Sequence, residues 1–202
     1  NVQRLGPALL AALHRLMVRG GTVVFFCEGP TVLENLVALD GLSPGGALAF
    51  EPQALQDFSL RGELLQITDG DWQGPLLREF DESSRLAIQR IGFRQIWTTG
   101  PWHAEAKELL RFADGTLALA ERHVGNGRLL LANFGVTASA SDLGKYGGFV
   151  ALTQSLASPL APVEAMWSGG TVGWPLHFGV SEGYDPTRPG FEAVSYTHLT
   201  LP

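Results

Sequence analysis

Few residues in this chain are of types that do chemistry. It has one cysteine, Cys27, which ends the apolar run Val23-Val24-Phe25-Phe26 and is followed by Glu28 and Gly29. A thiol on the sharp turn after a buried strand is a nucleophile when a base lies within reach and a third group orients that base. The pattern His103-Ala104-Glu105, in a Gly-Pro loop, supplies a histidine and a carboxylate. Cys27, His103 and Glu105 are therefore the catalytic candidates. Each also has a plainer assignment: an unpaired cysteine is commonly a small buried residue, and the other two read as solvated loop residues.

Other polar groups carry weaker signals. His123 ends a strand beside a hairpin and reads as exposed. Asp69 and Asp71 flank Gly70 like a cation-binding turn, but a solvated or capping turn explains them as well. His177, Glu182 and Asp185 lack metal-ligand spacing, and zinc needs three or four ligands in fixed geometry. Gly20-Gly21 precedes its strand, and Gly144-Lys145 lacks the upstream glycine of a phosphate-binding loop. No metal and no cofactor is expected. Trp72, Trp97, Trp102, Trp167 and Trp174 fall mainly in loops or at strand ends. They either plug core edges or anchor a partner. The candidate binding set is Glu28 and Gly29 with Trp72, Trp97 and Trp102.

The elements that must position these groups come next. In 202 residues, 45% are apolar and 17% charged, enough for a packed core. The net charge of −6 with no basic run excludes a nucleic-acid partner. One cysteine allows no internal disulfide, and no window approaches the roughly 18 apolar residues of a membrane span. Apolar residues at helical spacing from Leu5 to Val18, with Pro7 in the first turn and Gly20-Gly21 at the end, predict a helix. Thr22–Cys27 reads as a strand covered on both faces, of the kind found in parallel sheets. Such sheets place ligands at strand carboxyl ends. Thr31 and Glu34 have capping-box spacing, and Leu33, Leu36 and Val37 form one stripe of a helix that Asp40-Gly41 stops.

Residues 42–58 read as loop with a short helix around Gln53–Phe58, and Leu60–Ile67 as a strand. Asp69 to Pro75 is a turn cluster. Leu86, Ile88, Ile91 and Phe93 suggest a strand with a bulge near Gly92. Leu109–Phe112, Leu117–His123 and Arg128–Ala132 form a meander whose Asp114-Gly115 and Asn126-Gly127 suit tight turns. Leu129-Leu130-Leu131 reads as buried on both faces. A helix is expected from Tyr146 or Phe149 to Leu156. Ser158 to Pro162 marks a boundary, with a β-rich segment starting over 159–194. The chain opens directly into a helix, so strands are expected upstream of it. Residues 195–202 share no pattern with the rest and read as a non-native tail.

The helix ending in Arg19-Gly20-Gly21, the strand Thr22–Cys27, the meander and the later Gly148-Phe149-Val150 come in an order with a known counterpart. Over roughly residues 5–158, within a domain expected to span 1–158, the chain resembles the class I glutamine amidotransferase-like domain of Bat-type, aerotolerance-related bacterial membrane proteins. Similar domains accompany von Willebrand factor A modules. The resemblance implies a flavodoxin-like, mostly parallel α/β sheet on the extracytoplasmic face of the bacterial inner membrane, with a protein partner in a membrane-associated complex. Active members place a cysteine on the strand-to-helix elbow and a His-x-Glu after a late strand. Here the elbow keeps Cys27 and Gly29, but Phe25-Phe26 stand where a small residue is required. Arg128–Ala132 is followed by Asn133-Phe134-Gly135-Val136-Thr137, with no histidine or glutamate. The expectation is a non-catalytic interaction or structural domain. The alternatives are a cysteine-dependent amidotransferase or hydrolase using Cys27, and a small-ligand or carbohydrate module at the strand ends around Cys27–Pro30 and Phe134–Thr137.

Overall fold

The computed structural model describes residues 4–59, 62–146, 152, 153, 155 and 156. The expected boundary, the segment 159–194, the tail, Trp167, Trp174, His177, Glu182, Asp185 and Gly148-Phe149-Val150 lie outside the described residues.

Helix α1 spans Pro7–Val18, with Pro7 in its first turn. Strand β1 is Thr22–Phe26, and helix α2 is Val32–Asp40. Strands β2 (Phe50–Asp57) and β3 (Ile67–Gly70) follow, then helix α3 (Glu82–Gln89). The chain continues through β4 (Gln95–Trp102), β5 (Lys107–Phe112), β6 (Leu117–Val124) and β7 (Gly127–Ala132) to a 3-10 turn at Leu143–Lys145. The main sheet has the order β1-β7-β6-β5-β3, and β2 pairs with β4 in a second sheet.

The result is a mixed α/β fold with one parallel pairing, β1 with β7; the other main-sheet pairings are antiparallel. This corrects the expected mostly parallel sheet. Short turns between β5 and β6 and between β6 and β7 can only reverse direction. In the second of these the positive φ falls on Gly125 (+62°), so the turn residues are Gly125-Asn126 and not Asn126-Gly127. β7 is buried along its whole length, as its leucines predicted. Its residues alternate between faces. Leu130 and Ala132 join a cluster with Ile88, Phe93 and Phe134, whereas Leu131 joins one with Val32, Leu36 and Leu39. β1 lies at the sheet edge and is only partly buried, contrary to the expectation of full cover.

Several local expectations fail for identifiable reasons. Phe50–Asp57 is a strand, not a loop and helix, because it pairs antiparallel with β4, around irregularities near Pro52. The expected strand at Leu60–Ile67 shrinks to a bridge at Leu65 and a strand that starts at Ile67, so Asp69 and Gly70 end β3 instead of opening a turn. Of the expected strand and bulge around Leu86–Phe93, Leu86 and Ile88 lie in helix α3, capped by the Asp81 carboxylate, which accepts from Ser84 N–H at 2.7 Å, and Phe93 makes only isolated bridges to Leu65 and Ser141. Only Ile88 of that helix is buried. The capping box at α2 does not form. Glu34 instead pairs with Arg4 at 3.3 Å, and the buried stripe is Val32, Asn35, Leu36 and Leu39, leaving Leu33 and Val37 exposed. Gly100-Pro101-Trp102 ends a strand and is not a loop. Leu152, Thr153, Ser155 and Leu156 are helical, but Tyr146 is a bend.

The segment after β7 is pinned by charge. Asp142 takes Arg94 at 2.6 Å and Lys145 at 2.7 Å, and Arg94 also donates to the Ala138 carbonyl. Hydrogen bonds from Lys145 and then Arg94 hold the Asp142 carboxyl below the usual carboxylate range. A depressed folded-state pKa adds stability that is fully present above the unfolded value and disappears as pH falls through the folded one. The melting temperature of the native chain should therefore drop on acidification from about pH 5 to about pH 2, and Asp142→Asn should flatten that drop. Parallel melting curves for the two proteins would refute the linkage.

Candidate functional site

The elbow after β1 forms as the sequence suggests. Cys27 N–H extends the β1–β7 ladder by donating to the Ala132 carbonyl at 2.9 Å. Glu28 N–H then turns back to the Phe26 carbonyl, and Gly29 takes φ +95°, a conformation side chains oppose. Pro30 and Thr31 lead into α2.

Cys27 is 3% exposed and sits among Leu5, Val32, Leu36, Ala49 and Leu131. Burial pushes its thiol well above the ordinary range, so the nucleophilic thiolate is suppressed. Among the described residues its sulfur has no hydrogen-bond partner. The polar connection across the site is made by the next residue. The Glu28 carboxylate accepts from Val136 N–H at 3.0 Å, from Thr137 N–H at 3.2 Å and from the Thr137 hydroxyl. Gly135 makes this approach possible, because a Cβ there would lie 2.7 Å from the Glu28 carboxyl carbon and 2.8 Å from Ala140 Cβ.

Trp97 completes the site. Its indole N–H donates to the Cys27 carbonyl at 3.2 Å. Its backbone N–H donates to the Asn133 side-chain oxygen at 3.0 Å, and its carbonyl accepts from the Asn133 amide at 2.7 Å. That same amide donates to the Leu117 carbonyl at 2.9 Å. Cys27, Glu28, Gly29, Pro30, Leu55 and Trp97, with Gln95, Gly135 and Ala140, line a cleft of about 230 Å³ at the strand ends.

The other candidates lie apart from this cleft. His103 closes the β4–β5 turn: its N–H donates to the Ala49 carbonyl, and its Nδ1 accepts from Glu105 N–H. The exposed Glu105 carboxylate faces Arg122 at 3.9 Å. Neither residue lines the cleft. Trp72 packs on Phe80 under the Arg85 guanidinium, which lies 5.6 Å from its ring centroid. Trp102 is 49% exposed at the end of β4, paired with Phe50. The structure thus joins Glu28, Gly29 and Trp97 and leaves Trp72 and Trp102 elsewhere. Asp71 pairs with Lys107 at 2.6 Å, Asp69 accepts from Gly70 N–H, and the exposed His123 lies 3.3 Å from Glu121. No group of three or more His, Cys, Asp or Glu among the described residues could hold a metal ion.

Sequence reasoning missed Asn133, Gln95, Leu55 and Ala140. Asn133 carried a readable signal: it is the first polar residue after the apolar run Leu129–Ala132, where only a hydrogen-bonded side chain can remain buried.

No family model matches the chain, and no curated protein does. Among solved structures, it resembles a cytoplasmic protein from Salmonella typhimurium, STM3548, at 10% identity and a TM-score of 0.51. That match covers 75% of this chain and 60% of the other, so the chain spans less than two thirds of that protein's length. A second Salmonella typhimurium LT2 cytoplasmic protein, STM1381, matches at 11% identity and a TM-score of 0.47, over 74% of this chain and 57% of the other. An exo-β-1,4-mannosidase, Op5Man5 from Opitutaceae bacterium strain TAV5, matches at 16% identity and 0.41, over 76% of this chain and 22% of the enzyme. The first likeness shows a shared fold; at these identities none speaks to activity.

Asn133→Ala removes the buried group that satisfies both backbone atoms of Trp97 and the Leu117 carbonyl. It should destabilise the fold by about 3 kcal/mol in denaturant titration, since buried partners left unpaired cost ~1–3 kcal/mol each and relax in part. A loss below about 1 kcal/mol would show that water replaces these bonds without penalty.

Proposed function

We propose that this chain is a non-catalytic, glutamine amidotransferase-like module that works by binding, as an interaction or structural domain of a membrane-anchored bacterial protein. The observation that carries this reading is the placement of Glu28. Its carboxylate holds Val136 and Thr137, at the loop where the family resemblance calls for a histidine base. A thiol can run acyl transfer only with a proton acceptor near it and a low enough pKa. Here the sulfur is buried, its ionisation is opposed, and the nearest polar bridge is already closed.

The membrane setting rests on the family resemblance alone. Among the described residues no helix is long and apolar enough to cross a membrane, so an anchor would lie outside them. The flavodoxin-like classification is part of this proposal. It draws on the β1–elbow–α2 unit and the parallel β1–β7 pair.

The test is ammonia release from glutamine by the purified chain and by Cys27→Ala. We expect no release above buffer from either. A thiol-reactive maleimide should label the folded chain slowly and the urea-unfolded chain fast. Release that disappears in Cys27→Ala, or fast labelling of the folded state, would establish the enzyme alternative.

The cleft beside Trp97 favours a second reading, a small neutral ligand held at the strand ends. Its lining mixes an aromatic ring and apolar side chains with a few polar groups, as small-molecule sites do. The exposed Leu55 on its rim can be changed without touching the core. Titration with neutral monosaccharides should shift the Trp97 indole N–H resonance, and Leu55→Arg should abolish the shift. Shifts that persist in Leu55→Arg would place binding elsewhere.

A further inference from the structure

The polar side chains that line the strand-end cleft are already engaged, with one exception. The Trp97 indole N–H is held by the Cys27 carbonyl, so the ring is locked beside the cleft. Both oxygens of Glu28 are taken by Val136 and Thr137. Two backbone carbonyls of the wall are also in use: Gly135 accepts from the Ser141 hydroxyl at 2.8 Å, and Ala140 from the Arg94 and Gln95 N–H groups.

The exception is the Gln95 side chain. Its Nε2 donates to Asp57 Oδ2 at 2.8 Å. An ionised carboxylate only accepts, so this bond decides which end of the amide is the nitrogen. Asp57 is itself anchored, because its Oδ1 accepts from Ser59 N–H at 2.9 Å and from the Ser59 hydroxyl. The amide is therefore aimed before any ligand arrives. Its carbonyl oxygen and one N–H have no other partner among the described residues.

Charge narrows what can enter. Among the lining residues Glu28 carries the only formal charge, and Asp57 adds a second negative charge behind Gln95. Arg94, next in the chain, is neutralised by Asp142 at 2.6 Å. An anion would give up hydration here and meet no cation. The carboxylate oxygens already accept N–H and O–H donors, which weakens their pull on a cation. What fits is an uncharged molecule with an apolar face for Trp97 and Leu55, and beside it a donor and an acceptor for one amide. Adjacent hydroxyls on a sugar ring have this pattern. A cleft of about 230 Å³ suits a molecule the size of one such ring.

We infer that Gln95, aimed by Asp57, is the specificity-determining residue of this cleft and reads two adjacent hydroxyls of a neutral monosaccharide lying against Trp97. The inference rests on the small-ligand reading of the cleft given above.

The probes are D-glucose, D-galactose and D-mannose, with D-glucuronate and D-galacturonate as their charged counterparts, each titrated against the native chain by NMR. At least one neutral sugar should move the Trp97 indole N–H and the Gln95 side-chain NH₂ resonances together, and the uronates should move neither. Gln95→Leu keeps the backbone bond to Ala140 and should fold with an unchanged circular dichroism spectrum. It should weaken the sugar at least about tenfold, since two hydrogen bonds are lost. Asp57→Ala touches no lining residue but frees the amide to turn, so it should weaken binding about threefold or more by lowering the competent fraction. A sugar that shifts Trp97 yet binds Gln95→Leu as tightly as the native chain would overturn the role of Gln95 and leave the cleft reading standing. Undiminished binding in Asp57→Ala would overturn the aiming, and uronates that bind as well as neutral sugars would overturn the selection by charge. No shift with any neutral sugar would overturn the cleft reading and this inference together.

Discussion

One buried side chain holds the site together. Asn133, fully shielded from solvent, follows the last residue of β7 and bonds both backbone atoms of Trp97 and the carbonyl of Leu117. These residues lie on β4 and at the start of β6, so one amide joins the two-stranded sheet to the main sheet at the end where the elbow lies. Trp97 then passes the constraint on through its indole N–H to the Cys27 carbonyl. An asparagine suits this position because it offers a fixed acceptor and two donors, and three of its options are used. A leucine of similar size would fill the space but strand two backbone carbonyls and an N–H. The cleft is thus a consequence of how the sheets are tied.

Elsewhere, charges do the same work for loops. Asp40 Oδ1 accepts from Ala47 and Leu48 N–H, while buried Arg122 donates to the Gly45 and Leu48 carbonyls. Together they fold residues 41–48 onto the sheet without regular secondary structure. Arg128, almost wholly buried, donates from Nε to the Thr22 hydroxyl and lies 4.0 Å from the Glu121 carboxylate, across the β1–β7–β6 end of the sheet. A buried charge is tolerated only with partners. Asp40 has its partners in backbone N–H groups, Arg122 in backbone carbonyls, and Arg128 in a hydroxyl and an opposite charge, which makes these positions intolerant of neutral replacements of the same size.

What the sequence disclosed follows the range of the interactions. The meander was legible because glycine turns and alternating or fully apolar strands act over a few residues. Helix α1 was legible from its periodicity and Pro7. β2 was hidden because it is mostly exposed, contains Pro52 and exists only through pairing with β4, some forty residues away. Helix α3 was misread because its apolar residues are two apart, and its real signal, Asp81 followed by a polar first turn, was not weighed. The elbow was visible from Cys27, Gly29 and Pro30, but its partner was not: nothing local to Glu28 announces that its carboxylate bonds residues more than a hundred positions later.

That bond is also coupled to the burial of the cysteine beside it. An elbow displays its nucleophile only if the residues beneath it are small enough for the turn to tighten and lift the side chain out. Phe26 precedes Cys27 and packs on Phe134 at 5.9 Å between ring centroids, and Phe134 is backed by Phe93 at 4.8 Å. This aromatic stack fills the volume under the turn. The thiol on the opposite face settles among aliphatic side chains, where it acts as a small apolar residue. With the sulfur turned inward, the outward position passes to Glu28. A carboxylate there must find donors, and the free amides of Val136 and Thr137 supply them. Burial of the thiol and closure of the loop by the carboxylate are therefore one structural choice, set by the phenylalanines beneath.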